Sequence, residues 1–326
     1  MLRRSNVFKN ILRTSFQEKV VYTPVGAISS DLPAGKYLPG QFFIAKNYEY
    51  RGLVLLSQET EVIGENVQLP KSFETSYMVL CDERDTMDSK SQIDYLDYFL
   101  NDGEVTYTMN IDILPHREII PAGDTNVTFQ NQVADFYFKK SENPWPTAPN
   151  NPKLVPTSNL LSLTDKRNIK LKKYVKVTNN VRVSVIPIYL GQGFIRDRRI
   201  SGESFSRNDF IKSRHYWQYH ITLENLSNEP LELIERLWYI YEDNESEEGE
   251  SSEGSLKRVA GRGVVGKHPI LFNATQPFKY TSTLDISTGK GHMWGKFIFE
   301  SRLDGRPVEV FVPKFELSSV VDYADY

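Results

Sequence analysis

The stretch WQYHITLEN, residues 217–225, decides the fold class of this chain. Its apolar and polar side chains alternate with a period of two, which is typical of a β-strand with one buried face. The same alternation returns in residues 181–185 (VRVSV) and 308–312 (VEVFV). Residues 225–230 supply a turn before the next apolar run, 231–241. Several strands separated by turns predict a mainly β chain with a sandwich in its C-terminal half.

The N-terminal half shows weaker strand patterns and one helical pattern. Short apolar runs at residues 41–45, 53–56 and 77–81 are bounded by glycine, proline and charged residues, which favours strands. Residues 105–109 alternate with a period of two, whereas the apolar residues of 93–100 have the spacing of a helix. We therefore expect a small β unit that contains one helix.

A proline-rich stretch separates the two halves. Five prolines lie from Pro144 to Pro156, and a proline has no N–H group to donate to a sheet. We therefore do not expect this stretch to lie inside a sheet, and we place a domain boundary there. The predicted organisation is a leader at 1–24, a β unit at 25–142, a Pro-rich and basic linker at 143–174, a sandwich at 175–318 and a tail at 319–326.

The composition excludes several classes of protein. The 326 residues include 39 basic and 42 acidic ones, and the formal net charge of −3 argues against a protein coated with nucleic acid. A single cysteine, Cys81, excludes an intrachain disulfide framework. The sequence has no apolar run near the ~18 residues that indicate a membrane-spanning helix. We expect a globular chain whose many aromatic residues suit the faces of sheets.

The first residues have the composition of a targeting signal. Residues 1–17 hold four basic residues and no acidic one, and the apolar Phe8, Ile11 and Leu12 share one side of a predicted helix. This pattern is typical of a mitochondrial transit peptide; a basic terminus without a signal is the alternative. Removal of this segment would leave 39 − 4 = 35 basic residues against 42 acidic ones, a net charge of −7.

The C-terminal half carries six short motifs in order: WQYHITLEN at 217–225, RLW at 236–238, GRGVVG at 261–266 with Pro269, FKYTS at 278–282, GHMWG at 291–295 and VPKF at 312–315. This series resembles the ApaG domain, a fibronectin-III-like β-sandwich. In the N-terminal half, GKYLPGQ at 35–41 followed by YRGLV at 50–54 resembles a YccV-like domain. That domain is hemimethylated-DNA-binding-like and forms a small SH3-type β-barrel. The combination resembles the polymerase delta-interacting protein 2 family over nearly the whole chain.

This resemblance implies a non-enzymatic adaptor that needs no cofactor. Members of the family are placed in the mitochondrial matrix and the nucleus and are linked to DNA damage tolerance. Their partners are DNA polymerase subunits, the sliding clamp, the primase-polymerase and a ClpX-type unfoldase. Direct DNA binding through the YccV-like unit and the basic linker is the first alternative, and a nucleotide-dependent enzyme is the second.

Two insertions depart from the pattern of the family. Residues 195–214 are polar and rich in serine and arginine, and residues 242–253 hold seven acidic residues and no basic one. The acidic stretch is expected to be a solvated loop without a packed role. Partner contacts that relatives make through these loops therefore do not carry over to this chain.

Two sets of residues are candidate contacts. For protein partners they are Tyr50, Arg51 and Gly52 in the YccV-like motif, with Met293 and Trp294, because Met and Trp are enriched at interfaces; burial in the sandwich core is the alternative for the last two. For a phosphate backbone they are basic residues of the join, of the first insertion and of the glycine motif: Lys166, Arg167, Lys170, Lys172, Lys173, Arg196, Arg198, Arg199 and Arg262. A solvated charged face is the alternative for this second set.

The sequence assembles neither a catalytic site nor a metal site. Residues 261–266 match GxGxxG, but Pro269 follows at once, which favours a turn between strands over a dinucleotide site; the loop N–H groups could still bind an anion. His215 and His220, five apart on a strand, face opposite sides and are not spaced as metal ligands. Cys81 lies in an apolar run beside two acidic residues that raise the pKa of a thiol, so an inert buried cysteine is expected.

Overall fold

The computed structural model describes residues 36–48, 50–64, 72–86, 91–92, 111–122, 128–140, 154–161, 171–195, 212–243, 254–273 and 277–319. Within these ranges the chain forms seventeen β-strands and a few short helical turns, so the expected mainly β fold class is confirmed. In the same ranges, none of the helices has the length and apolar character needed to cross a membrane. The predicted leader, the helix at 93–100, the strand at 105–109 and most of both insertions lie outside the described residues.

The N-terminal unit is built around one long strand, β2. Its elements are β1 (Phe42–Ala45), β2 (Arg51–Gly64), β3 (Ser72–Cys81), α1 (Glu83–Thr86), β4 (Ser91–Gln92), β5 (Ile111–Pro115), a 3-10 helix (His116–Glu118), β6 (Ile119–Pro121), α2 (Ala134–Tyr137), β7 (Phe138–Lys140) and β8 (Leu154–Pro156). Strands in the order β6-β1-β2-β3-β5 form a curled antiparallel sheet. The strands expected at 41–45, 53–56 and 77–81 are confirmed within β1, β2 and β3.

Both faces of this curled sheet are buried. One face carries an aromatic cluster that includes Tyr37, Phe43, Tyr50 and Tyr77. The other face is covered by α2, β7 and the residues that follow β8, because the side chains of Tyr137, Phe138 and Leu160 pack against those of β2, β3 and β5. Alternate residues of β2 therefore enter two different cores, which explains why its sequence reads as a continuous apolar run rather than as an alternation.

The C-terminal unit is a two-sheet sandwich. Its strands are β9 (Leu171–Thr178), β10 (Val181–Ile195), β11 (Lys212–Asn225), β12 (Leu231–Glu242), β13 (Ser255–Arg262), β14 (Ile270–Leu271), β15 (Phe278–Ile286), β16 (Lys290–Ser301) and β17 (Pro307–Ser318). One sheet has the order β15-β11-β10-β9 and the other the order β13-β12-β16-β17. Between them lies the largest core, which includes Trp217, Trp238 and Phe297.

The two units share one continuous sheet. Strand β2 of the first unit pairs in parallel with β9 of the second, from Thr60 opposite Leu171 to Gly64 opposite Val175. A small apolar cluster of Ile113, Leu171, Ile186 and Ile188 packs across the same junction. The relative placement of the units is therefore set by backbone hydrogen bonds as well as by side chains.

The segment predicted as a linker contributes to both units. Strand β8 pairs with β7, with Pro156 opposite Phe138, and β9 begins at Leu171, four residues before the expected start of the sandwich. The expectation that these prolines stay out of sheets is wrong for Pro156. A strand of a two-stranded pair has only one paired side, so a missing N–H is tolerated there.

The acidic insertion begins one residue later than expected. Glu242 is the last residue of β12 and is buried, with 2% of its surface exposed. Its carboxylate forms an ion pair with Lys257 and accepts a hydrogen bond from the backbone N–H of Ser287 at 3.0 Å. The prediction of a solvated loop without a packed role is therefore wrong at Glu242, whose partners neutralise its charge inside the sandwich.

Gly52 gives a test of the N-terminal core. Gly52 lies opposite Phe43, and a Cβ atom at position 52 would come within 2.1 Å of the Phe43 ring. We expect Gly52→Ala to lower the free energy of unfolding by about 1–3 kcal/mol, since the buried ring has to move. Guanidinium denaturation followed by fluorescence measures this loss.

The control is the same substitution in a Phe43→Leu background, in which the ring is absent. There Gly52→Ala should cost clearly less, because the two positions are coupled through contact. An equal cost in both backgrounds would show that the close approach of Phe43 is not what requires a glycine.

Candidate functional site

A small polar cavity lies where the two units meet. Its volume is about 30 Å³, enough for one or two water molecules. The N-terminal unit lines it with Tyr48, Ser76 and Glu118, and the sandwich lines it with His220 and Lys279 among others. Charged groups of both signs therefore converge at this junction.

Asp112 is the centre of the charged groups beside this cavity. It lies in β5, is fully buried, and accepts a hydrogen bond from the Tyr50 hydroxyl at 2.7 Å. Lys279 of β15 forms an ion pair with its Oδ1 atom and donates a further hydrogen bond to the Ile113 carbonyl at 2.6 Å. Nδ1 of His220 lies 3.6 Å from the same carboxylate oxygen. A carboxylate of one unit is thus neutralised by a lysine of the other.

The pKa values of these groups follow from burial and from one another. Burial alone would raise the pKa of Asp112, but Lys279 and His220 outweigh it and hold that pKa well below its usual range. Burial lowers the pKa of His220, so its imidazole is neutral near pH 7. Burial raises the pKa of Glu118, which also faces the cavity. The junction therefore contains a firmly ionised acid, Asp112, close to two groups, His220 and Glu118, whose charged forms are disfavoured by burial.

Local strand geometry explains how these side chains meet. On β11, Trp217 and Tyr219 point into the sandwich core, and His220 points to the opposite face, towards the N-terminal unit. His215 lies on the side of Trp217, with ring centroids 6.0 Å apart, which confirms that His215 and His220 face opposite sides. Lys279 lies one strand away, on β15, opposite Thr222.

Three buried polar atoms at this cavity have no partner among the described residues. They are Oγ of Ser76, Oε2 of Glu118 and Nε2 of His220. Buried polar groups of this kind are normally satisfied by ordered water, and the cavity has room for it. The arrangement suits hydration and fixed orientation of the two units. The described residues contain no group of three His, Cys, Asp or Glu side chains that could hold a metal ion.

The three N-terminal residues predicted to bind partners are buried instead. The Tyr50 hydroxyl donates its hydrogen bond to Asp112, and Arg51 donates to both carboxylate oxygens of Asp85, at 2.7 and 2.8 Å. Gly52 lies beneath the Phe43 ring. These side chains have structural roles, so they offer no contact surface to a partner in this structure.

The GHMWG motif divides between the core and the surface. Met293 is 2% exposed and lies in the sandwich core, so its side chain is not accessible to a partner. Trp294 points outward, stacks on Tyr239 with ring centroids 5.8 Å apart, and has the Lys314 Nζ atom 5.4 Å from its ring centre. Of the five predicted partner residues, Trp294 alone has a side chain on an accessible face.

The described members of the predicted basic set have different environments. Lys172 and Lys173 form ion pairs with Glu316 at 3.3 Å and Glu74 at 2.8 Å. Arg262 is exposed at the end of β13. The remaining residues of the set, Lys166, Arg167, Lys170, Arg196, Arg198 and Arg199, lie outside the described residues. The structure therefore shows two of these lysines already neutralised by carboxylates, which reduces their attraction for phosphate.

The glycine motif at 261–266 forms a turn and opens no helix. Gly263 and Gly266 have φ values of 57° and 74°, in the left-handed region that glycine adopts without strain. The Arg236 guanidinium donates to the Arg262 and Gly263 carbonyls at 3.1 and 2.5 Å and so holds the turn against β12. The interpretation as a turn between strands is confirmed.

Cys81 is buried, as predicted, but the predicted cause of its raised pKa is incomplete. Burial is the largest cause, followed by the charge of Asp112; of the nearby acids, Asp85 contributes as well. Asp112 is distant in sequence, so neighbours along the chain did not reveal it. A lone charge inside an apolar strand, as in IDILP at 111–115 and FKY at 278–280, is the signal that points to a buried ion pair.

Known proteins are similar to the C-terminal part of this chain and to nearly the whole of it. Residues 206–301 match the ApaG domain family. The polymerase delta-interacting protein 2 of Mus musculus is 29% identical over 336 residues, which cover 95% of this chain and 83% of the relative. The ApaG protein of Mesorhizobium japonicum is 31% identical over 144 residues, 44% of this chain and 92% of the relative. A crystal structure titled as an ApaA protein from Bordetella pertussis is 27% identical, with a TM-score of 0.32, and covers 42% of this chain and 92% of that one.

Removal of the Asp112 charge tests the junction. Asp112→Asn leaves Lys279 buried without a counter-charge, and we expect a loss of about 3–5 kcal/mol in the free energy of unfolding. The control is Asp112→Asn combined with Lys279→Met, which removes both charges. That pair should lose less than the sum of the single changes, as measured by denaturation at pH 7. Strict additivity would show that the two side chains do not act together.

The same variants should differ in their dependence on pH. The folded-state pKa of Asp112 lies below its unfolded value of about 3.9, so its contribution to stability is complete above that pH and is lost as pH falls. The wild-type free energy of unfolding should therefore fall more steeply between about pH 4 and pH 2 than that of the double variant. Identical slopes would contradict an ionised Asp112 in the folded state.

Proposed function

This chain belongs to the ApaG family, and on that premise we propose that it is a non-enzymatic adaptor that binds subunits of DNA polymerase delta. The observation that carries the proposal is the similarity to polymerase delta-interacting protein 2 over 95% of this chain. The similarity includes the N-terminal unit and the junction as well as the ApaG domain. The relative's name describes an interaction with a polymerase, and its similarity to this chain extends over both units.

The rigid junction supports a docking role. The shared sheet and the Asp112–Lys279 ion pair fix the two units in one orientation. A partner that contacts both units then meets a preformed surface and does not have to order it, which favours binding. The accessible aromatic face around Trp294 and Tyr239 is the part of the sandwich best suited to anchor a partner, since tryptophan and tyrosine dominate interface energetics.

The resemblance extends the proposal to further partners and to a location. The sliding clamp, the primase-polymerase and a ClpX-type unfoldase are the additional partners, with the mitochondrial matrix and the nucleus as compartments. The basic, acid-free residues 1–17 support import into mitochondria. N-terminal sequencing of the native protein should find a start beyond this segment; a start at Met1 would overturn cleavage of a transit peptide.

A binding assay with purified polymerase delta tests the adaptor proposal. The full chain, immobilised for interferometry, should bind the holoenzyme, and Trp294→Ala should weaken binding by about tenfold or more while the variant remains folded, as its thermal transition shows. The control is Leu303→Ala, which removes another exposed apolar side chain, 74% exposed in the turn between β16 and β17. Absence of binding by the wild type would overturn the proposal, and equal binding by both variants would exclude Trp294 as the anchor.

The same assay separates the adaptor from a DNA-binding protein. Short duplex DNA should not bind at micromolar concentrations in physiological salt, because Lys172 and Lys173 are already paired with acids. Binding with a steep dependence on salt concentration would indicate phosphate contacts instead. If neutralising substitutions in residues 166–176 abolished that binding, the direct DNA-binding role would replace the adaptor.

A further inference from the structure

The edge of the second sandwich sheet is open at β13. Within the described residues, β13 pairs with β12 and with no other strand, and almost all of its residues are exposed. Its exposed side chains include two large apolar ones, Leu256 at 58% and Val259 at 44%. An exposed edge of this length, with apolar side chains, is a template for the addition of another strand.

The hydrogen-bond pattern shows which residues present their backbone to that edge. The Gly263 N–H donates to the Ile234 carbonyl at 2.8 Å, one position beyond the last pair of the register, Arg262 opposite Glu235, so position 263 directs its N–H towards β12. Such positions alternate along an antiparallel ladder. Continuing the alternation, four residues direct their N–H and C=O groups away from β12: Leu256, Arg258, Ala260 and Arg262. Their side chains also share one face, the outer face of the sheet.

The charges of β13 define what would pair with it. The strand SLKRVAGR, residues 255–262, has three basic residues and no acidic one. Lys257 is neutralised by the buried Glu242, and Arg262 lies directly opposite Glu235. Arg258 lies opposite Tyr239, an uncharged residue, and no described carboxylate lies within ion-pair distance of it. Among the described residues, the open edge thus presents a positive charge without an ion-pair partner, between two small or apolar neighbours, Leu256 and Ala260.

These features distinguish between possible occupants. A second copy of this chain, pairing edge to edge through β13, would place bases against bases, which is unfavourable. An extended peptide with a carboxylate opposite Arg258 and apolar residues two positions to either side would satisfy the charge, the backbone groups and the exposed Leu256 together. The aromatic face of Tyr239 and Trp294 lies next to Arg258 on the same side of the sheet and would be reached by longer side chains of that peptide.

We infer that β13 is a docking edge for an extended acidic peptide of a partner protein, which adds to the sheet as a further strand. The backbone of β13 supplies hydrogen bonds that do not depend on sequence, and Arg258 selects for acidic residues. This inference rests on the proposed adaptor function, since it assigns the kind of partner segment that the adaptor holds.

The test uses two fluorescent decapeptides of alternating residues and the full chain. One alternates valine with glutamate and the other valine with lysine. The wild type should bind the glutamate peptide and not the lysine peptide, and Arg258→Glu should weaken the first interaction by about tenfold or more. Lys290→Glu, the same change of charge at another exposed base, should leave the affinity within about twofold.

A backbone variant makes the test independent of charge. Ala260→Pro removes an N–H that points away from β12, so the fold should persist while peptide binding is lost. Val259→Pro removes an N–H that the alternation assigns to β12 and should destabilise the sandwich. Binding of both peptides with equal affinity, or unchanged binding by Arg258→Glu, would overturn the inference. So would a dimer of the wild type that Arg258→Glu dissociates, as seen by sedimentation, because it would assign the edge to a second copy.

The outcomes separate this inference from the adaptor proposal. If the wild type binds polymerase delta but not the glutamate peptide, the docking edge is wrong and the adaptor remains. If the wild type binds the glutamate peptide but not polymerase delta, the edge remains and the proposed partner is wrong.

Discussion

The buried carboxylate of Asp112 is the constraint on which the arrangement of this chain depends. It comes from one unit. Lys279, which compensates its charge, and His220, whose neutral imidazole lies beside it, come from the other. Moving an ionised carboxylate out of water is costly, and only well-placed partners offset that cost. A shift of one unit against the other would leave a charge uncompensated in the interior. The pair therefore contributes less to the total stability than to the choice of a single orientation.

The parallel pairing of β2 with β9 transmits this constraint to the rest of the fold. Because one sheet runs through both units, the face of β11 that carries His220 is covered by the N-terminal unit, while the opposite face packs on the second sheet. Among the described residues, the outer side of the second sheet packs neither on the N-terminal unit nor on the first sheet. That is where Trp294, Tyr239 and the open edge of β13 lie. The first sheet thus holds the two units together, and the outer side of the second sheet is accessible to a partner.

Sequence patterns predicted the strands better than the way the units meet. The alternation in WQYHITLEN correctly separated Trp217 from His220, but it gave no sign that the polar face of β11 would also be buried. That burial depends on pairing between Thr60 and Leu171, more than a hundred residues apart, which no local pattern encodes. Tyr50, Arg51 and Gly52, which were predicted to contact a partner, are buried for a related reason. Packing of the N-terminal core requires a glycine at position 52, as the close approach of the Phe43 ring shows.

The local charge of an edge matters more for recognition than the net charge of the chain. The chain is slightly acidic overall, at −3, yet β13 carries bases and no acid. Basic residues on an open edge prevent pairing with identical copies, which is the usual explanation for their presence. The same repulsion disappears for a strand of opposite charge, because the backbone groups of the edge are unchanged. Arg258 disfavours pairing of β13 with a second copy of itself, and for the same reason it favours acidic strands. Electrostatic complementarity of this kind affects the selectivity of binding more than its affinity.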